Sequence, residues 1–180
     1  MNKEHEIREL ILRLARLDVS ESWTGDLNPA QRSVLEYLSR ANKFSRSPSH
    51  VAAFLGTTRG TISQTFKALL QKGYVTETRS QLDKRAIRFD LTQKGRALLT
   101  HPRMLISSLE RLECSQENAL QAALQSTLKN FLVQNKGQPF GVCSACRHFT
   151  NRDGGGYCNL LSEELAPLEV EQICHEQDPL

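Results

Sequence analysis

Four cysteines stand within 32 positions near the end of this chain, at Cys143, Cys146, Cys158 and Cys174, in the spacing Cys-x2-Cys-x11-Cys-x15-Cys. A Cys-x2-Cys pair sets two sulfurs on one side of a tight loop, the common first half of a thiolate metal site. The stretch Asp153-Gly154-Gly155-Gly156 can fold back at little steric cost and carry Cys158 toward that loop. The run SEELAPLEVEQIC would then return Cys174 as a fourth ligand. Few apolar residues accompany these cysteines, so a metal would supply cross-links that a core does not. Four unrelated thiols would leave the segment with little reason to fold.

Two other readings depend on compartment and ligand chemistry. The N-terminus MNKEHEIRELILRLARLD is charged throughout and lacks the apolar stretch and cleavage site of a signal peptide. No apolar run is long enough to span a bilayer. A cytoplasmic protein is therefore expected, which disfavours stable disulfides and directs dense cysteines toward metal or redox chemistry. Structural zinc sites often use two tight Cys pairs, and this chain has one. An iron–sulfur cluster, with [4Fe–4S] favoured, accepts one tight pair and two separated cysteines; zinc stays as the alternative. His148 and His175 lie beside the cysteines and are read as surface residues or as neighbours of ligands. Cys114, alone at an expected helix boundary, is read as a buried structural thiol.

The elements upstream decide what such a centre would act on. Between Asn28 and Arg103 there are 14 Lys/Arg against 4 Asp/Glu, whereas the remainder carries 9 against 16. A basic middle between acidic ends suggests a nucleic-acid surface. Ile7, Leu10, Ile11, Leu14 and Leu17 stripe a helix over residues 3–17. Asn28 before Pro29 and Ser47 before Pro48 each mark a helix start. ANKFSR between them reads as a short basic link. A third helix runs from Thr57 or Thr58 to Lys72 and stops at Gly73. Residues 74–80 and 86–92 alternate as two strands of a hairpin with a basic tip. Helices over 93–112 and 116–134 follow, the first kinked or delayed by Pro102, and NKGQPFG links to the cysteines.

Helix, short helix, polar-faced helix and hairpin is the order of a winged helix-turn-helix. A major groove admits a helix whose outward side chains meet base edges. Arg59 suits guanine and Gln64 adenine, Thr58, Thr61, Ser63 and Lys67 suit phosphates or a thymine methyl, and Gly60 permits close approach. Arg79, Lys84, Arg85 and Arg88 on the hairpin would reach flanking phosphates or the minor groove. The competing readings are a solvated helix and hairpin, a protein-interaction module on the same scaffold, or a redox enzyme containing a winged helix. No nucleotide-binding loop, nucleophile elbow or outstanding carboxylate pair marks an enzyme, so none is expected.

The stretch TTRGTISQTFKALLQKGYVTETRSQLDKRAIRFDLTQKGRALL resembles the DNA-binding core of MarR-family transcriptional regulators. The carrying features are Leu-x-x-Lys-Gly-Tyr closing the recognition helix, the Asp83-Lys84-Arg85 wing, and Leu91-Thr92-x-x-Gly95 opening the next helix. By order of elements the resemblance extends over residues 5–134. It implies that Asp83 and Arg85 pair to hold the wing tip and that Arg85 also touches DNA. It further implies a two-fold homodimer on a palindromic double-stranded operator, formed by the first and last two helices. Some members bind small phenolic effectors and others sense oxidants through a cysteine, so a small-molecule effector is a further expected partner. The cysteine segment resembles high-potential iron–sulfur proteins in ligand order.

The expected fold is therefore mainly α with a small β-hairpin wing. It divides into an N-terminal dimerisation helix and loop (1–27), a winged helix-turn-helix (28–103), C-terminal dimerisation helices (104–135) and a metal-binding tail (136–180). The expected function is a dimeric DNA-binding regulator whose cluster senses redox state, oxygen or iron. The alternative is a similar regulator with a structural zinc clip, answering to a small ligand.

Overall fold

The computed structural model describes residues 2–23, 25–79, 87–100 and 103–178. The first helix, α1, spans Lys3–Ser20, a turn longer than the apolar stripe alone indicates. Helices α2 (Pro29–Arg40), α3 (Pro48–Phe54) and α4 (Arg59–Gln71) start where their caps predict. Asn28 and Gln31 form a reciprocal capping box, and Ser47 and Thr58 accept from His50 N and Thr61 N. Gly73 ends α4 at φ +73, a backbone state that a side chain would strain.

Strands β1 (Val75–Arg79) and β2 (Ile87–Leu91) pair antiparallel from Val75 against Leu91 to Arg79 against Ile87. Their inner face joins α2, α3 and α4 around Leu35, Val51, Phe66, Leu69 and Phe89. Phe66 and Phe89 stack face to face at 3.8 Å between ring centroids. This core fixes α4 by one side and leaves its other side in solvent.

The helix expected over 93–112 is two helices, α5 (Gln93–Ala97) and α6 (Met104–Leu109). Pro102 falls between them; it has no N–H for the helical ladder and disfavours helical backbone in the residue before it. Helix α7 (Cys114–Gln134) begins two residues earlier than expected, with Glu113 and Gln116 as its capping box. Neither α1 nor α7 has a buried residue: Leu10, Leu17, Leu128 and Phe131 are all more than half exposed. Among the described residues no helix is long and apolar enough to cross a membrane.

The C-terminal segment contains β3 (Gly141–Val142), β4 (Phe149–Arg152), β5 (Gly155–Cys158), β6 (Glu163–Leu165), the short helix α8 (Pro167–Val170) and β7 (Ile173–Cys174). Strands β4, β5 and β6 form one sheet, and β3 pairs with β7. The three glycines do what the sequence suggested. Gly154 turns the β4–β5 hairpin at φ +81, and a Cβ on Gly156 would lie 2.1 Å from Phe149 Cε2. The segment's small cluster of Cys143, Leu165 and Cys174 takes Phe44 from the α2–α3 turn as part of its packing.

Candidate nucleic-acid interface and cysteine centre

Ile62, Phe66 and Leu69 are buried on one side of α4, while Arg59, Gly60, Thr61, Ser63, Gln64 and Lys67 are exposed on the other. Three hydroxyls also have local duties. Thr58 Oγ1 caps the helix at 3.1 Å from Thr61 N and lies 2.9 Å from Thr61 Oγ1, and Ser63 Oγ donates to Arg59 O. On the wing, Arg79 is exposed and paired with Glu77 at 2.7 Å, and Arg88 is exposed opposite Thr78. Asp83, Lys84 and Arg85 lie outside the described residues.

The basic excess of the middle segment overstates the charge available to a nucleic acid. Arg32 pairs with Glu36 at 2.9 Å, Arg46 with Asp90 at 2.5 Å, and Arg103 with both Asp18 and Glu36. These arginines are structural. A charge count cannot separate them from Arg59 and Lys67, because pairing depends on which carboxylate folding brings near.

All four tail cysteines line one cavity. Cys143 opens a 3-10 turn, Cys146 N donates to Cys143 O at 3.0 Å to close it, Cys158 ends β5, and Cys174 sits in β7 opposite Gly141. Phe149, Leu160 and Leu165 form apolar walls, with His148 and Glu176 at the margin. None of the four is in a disulfide. Asn42 Nδ2 lies 3.7 Å from Cys143 Sγ, and Asp178 N lies 3.5 Å from Cys146 Sγ. Donors directed at sulfur favour the thiolate state. Cys143 and Cys174 share a hydrogen bond that raises the first thiol's pKa and, against burial, lowers the second's to about 6. The pair thus releases its first proton more readily than a lone buried thiol and holds the second tightly.

The donor set fits a thiolate-bound metal centre. Among the described residues no three Cys, His, Asp or Glu side chains are arranged to hold a single ion. The space between the sulfurs is about 10 Å³, room for one water-sized sphere. A metal bound by all four sulfurs would require them to move apart.

Residues 25–86 match the profile of the MarR family. The fold is similar to that of a MarR transcriptional regulator from Methanosarcina mazei Go1, with TM-score 0.58 and 22% identity, over 71% of this chain and 97% of that one. The S. aureus MepR–DNA complex gives 0.56 and 17%, over 72% and 98%. The transcriptional repressor CouR, bound to a 23-mer DNA duplex, gives 0.56 and 27%, over 71% and 92%. A search of curated proteins found no match.

The fold of this part is a winged helix similar to that of MarR regulators.

The MarR-like part leaves over a quarter of the chain uncovered by these structures. Residues joining that remainder to the winged helix gave no signal in sequence. ANKFSR is no plain link: Asn42 and Ser45 are fully buried, and both contact the cysteine segment. Phe140, in the expected linker, packs edge-on against Tyr37 and Phe54 at centroid distances of 6.4 and 5.2 Å. His175 is no surface residue either. Its backbone N donates to Ser45 Oγ at 2.9 Å, and its ring stacks on His50 at 3.5 Å. Cys114, expected buried, is exposed as the first residue of α7, where its sulfur accepts from Asn118 Nδ2.

Proposed function

We propose that this protein is a transcriptional regulator that binds double-stranded DNA as a two-fold dimer, inserting α4 into the major groove with the wing beside it. The observation that carries the reading is the exposed polar and basic face of α4, held from behind by Ile62, Phe66 and Leu69 in a MarR-family winged helix. MepR and CouR, of the same fold, are seen bound to DNA. The unburied leucine faces of α1 and α7 supply the apolar surface that a dimer needs. Two protomers would then present two recognition helices to a palindromic site.

The finer part of the proposal is that Cys143, Cys146, Cys158 and Cys174 hold an iron–sulfur cluster whose state biases DNA binding. Supporting it are the common cavity, its apolar walls, the N–H donors directed at sulfur, and a spacing with one tight pair. When bound, the cluster would supply reversible electron transfer. The chain's own part is to provide four thiolates, shield them behind Phe149 and Leu165, and hold the tail against α2 and α3.

DNA binding is tested with the Arg59→Ala/Lys67→Ala double variant. It should lose operator binding while staying dimeric, with the log–log salt slope reduced by about 1 for each phosphate that the variant no longer neutralises. Wild-type affinity with wild-type salt dependence would overturn the assignment of α4. For the centre, protein purified without oxygen should be coloured and contain iron and acid-labile sulfide. A colourless protein with stoichiometric zinc and no sulfide would sink the cluster reading and leave the DNA reading standing.

A further inference from the structure

The cysteine segment meets the winged helix at α2, at α3 and at the turn between them, residues 41–46, and one side chain of that turn faces both ways. Asn42 is fully buried. A buried primary amide must place its donors and its acceptor. Its Oδ1 accepts from Phe44 N at 3.1 Å and Ser45 Oγ at 2.7 Å, which closes the turn. Its Nδ2 donates to Cys143 Sγ, and its backbone N donates to Ile173 O at 2.9 Å, beside Cys174. The amide is planar, so using its oxygen in the turn aims its nitrogen at the sulfur. Reorienting it would strand Phe44 N or Ser45 Oγ.

The same turn is tied to the DNA-binding unit. Arg46 donates to Ala41 O at 3.0 and 2.8 Å and pairs with Asp90 on β2, and Arg46 O accepts from Phe89 N at 3.0 Å. Ser47, next in the chain, caps α3. Thus one run of hydrogen bonds joins the cysteine cavity, the turn, the wing strand and the helix that supports α4.

We propose that Asn42 is a positioning residue through which the metal state of the four-cysteine centre sets the α2–α3 turn, and with it the affinity for DNA. The proposal rests on the cysteines binding a metal, but not on which metal. Without metal, Cys143 and Cys174 are buried free thiols. On loading, each thiol yields its proton to solvent as a sulfur lone pair goes to the metal. Asn42 then donates to a thiolate, and that hydrogen bond becomes charge-assisted and stronger. Differential contact of this kind is what coupling requires, and it is reciprocal: DNA and metal change each other's affinity by the same factor.

The test uses the full chain, Zn²⁺ alone as the probe metal, and a duplex enriched from random DNA by the wild-type protein. Zinc-loaded and EDTA-stripped wild-type protein should differ fivefold or more in DNA affinity. Asn42→Asp keeps the oxygen that closes the turn and removes the donor; Ser45→Ala removes one of the two donors that hold the amide oxygen in the turn. Both should bring the ratio to within about twofold of unity, again on the scale of such couplings, and abolish the matching effect of duplex on zinc affinity. Variants that keep the wild-type ratio, or a wild-type protein with no ratio to lose, overturn the proposal. Hydrogen exchange on the wild-type protein needs no variant. The amides of Asn42, Phe44 and Ser45 should change protection when zinc binds, and unchanged rates overturn the proposal. The cysteine reading is checked separately by loss of zinc binding in Cys143→Ser and Cys158→Ser. A wild-type chain that takes up neither zinc nor iron overturns both.

Discussion

Arg103→Ala should weaken the joint between the N-terminal helix and the winged helix, and the structure sets the size of the effect. The Arg103 side chain is 16% exposed and serves partners on separate elements. Nη1 lies 2.5 Å from Glu36 Oε1 on α2, and Nε lies 2.9 Å from Asp18 Oδ1 on α1, an ion pair without hydrogen-bond alignment. Nη2 donates to Ser22 Oγ at 2.9 Å and to Asp18 O. Truncating one partner of a buried pair costs roughly 3–5 kcal/mol, and an exposed pair contributes under about 1 kcal/mol. Asp18 and Glu36 are 27% and 28% exposed, and Glu36 retains Arg32, so water and a second arginine offset part of the loss. The expected cost is about 2–3 kcal/mol, between those limits. For a chain of this size that is a fall of roughly 5–10 °C in Tm. Urea unfolding at one fixed protein concentration should show a lower midpoint with an unchanged m-value, since apparent stability of a dimer depends on concentration. Arg103→Lys should recover less than half, because a single ammonium cannot span acceptors set for a guanidinium fork. An alanine variant within about 0.5 kcal/mol of wild type, or full recovery by lysine, would refute the reasoning.

Two further changes probe the tail and its contact with α3. Gly156→Ala places a methyl where Phe149 Cε2 lies 2.1 Å away, so the β4–β5 hairpin should open and stoichiometric metal uptake be lost, at a cost of about 2 kcal/mol. DNA binding by stripped protein should survive, and metal content measured beside a DNA titration separates the two. His50 is held down to about 4 by burial and by the neighbouring His175. Unfolded chains bind a proton there below about pH 6.5 while the folded chain does not until about 4, so stability falls as pH drops through that window, by about 2–3 kcal/mol. The difference between wild-type and His50→Gln unfolding free energies should shrink or change sign between pH 7.5 and 5; a difference independent of pH would show that His50 does not titrate as described.

Much of the winged helix was legible in sequence because its signals are local. A cap such as Asn28, Ser47 or Thr58 acts on an N–H three residues away, and Gly73 meets a backbone requirement at its own position. The period of Ile62, Phe66 and Leu69 places the core side of α4, and so by subtraction its outward face. The hairpin glycines were equally plain, since a turn consumes only neighbours. The split between α5 and α6 was half visible: Pro102 marked the place, but where the chain resumes depends on Arg103 meeting Asp18 and Glu36.

Sequence alone therefore determined the order of elements, the exposed polar face of α4 and the four-thiol spacing, all properties of residues near one another along the chain. Tertiary structure decided which arginines turn inward, that Phe140 docks the linker, and that the cysteine cavity rests on Asn42. The last pairing spans 101 positions. A neutral amide in a polar link has no periodicity, charge or cap to announce it. Only packing makes it a buried donor within reach of the cysteine sulfurs, and burial is what turns that contact from incidental to obligatory.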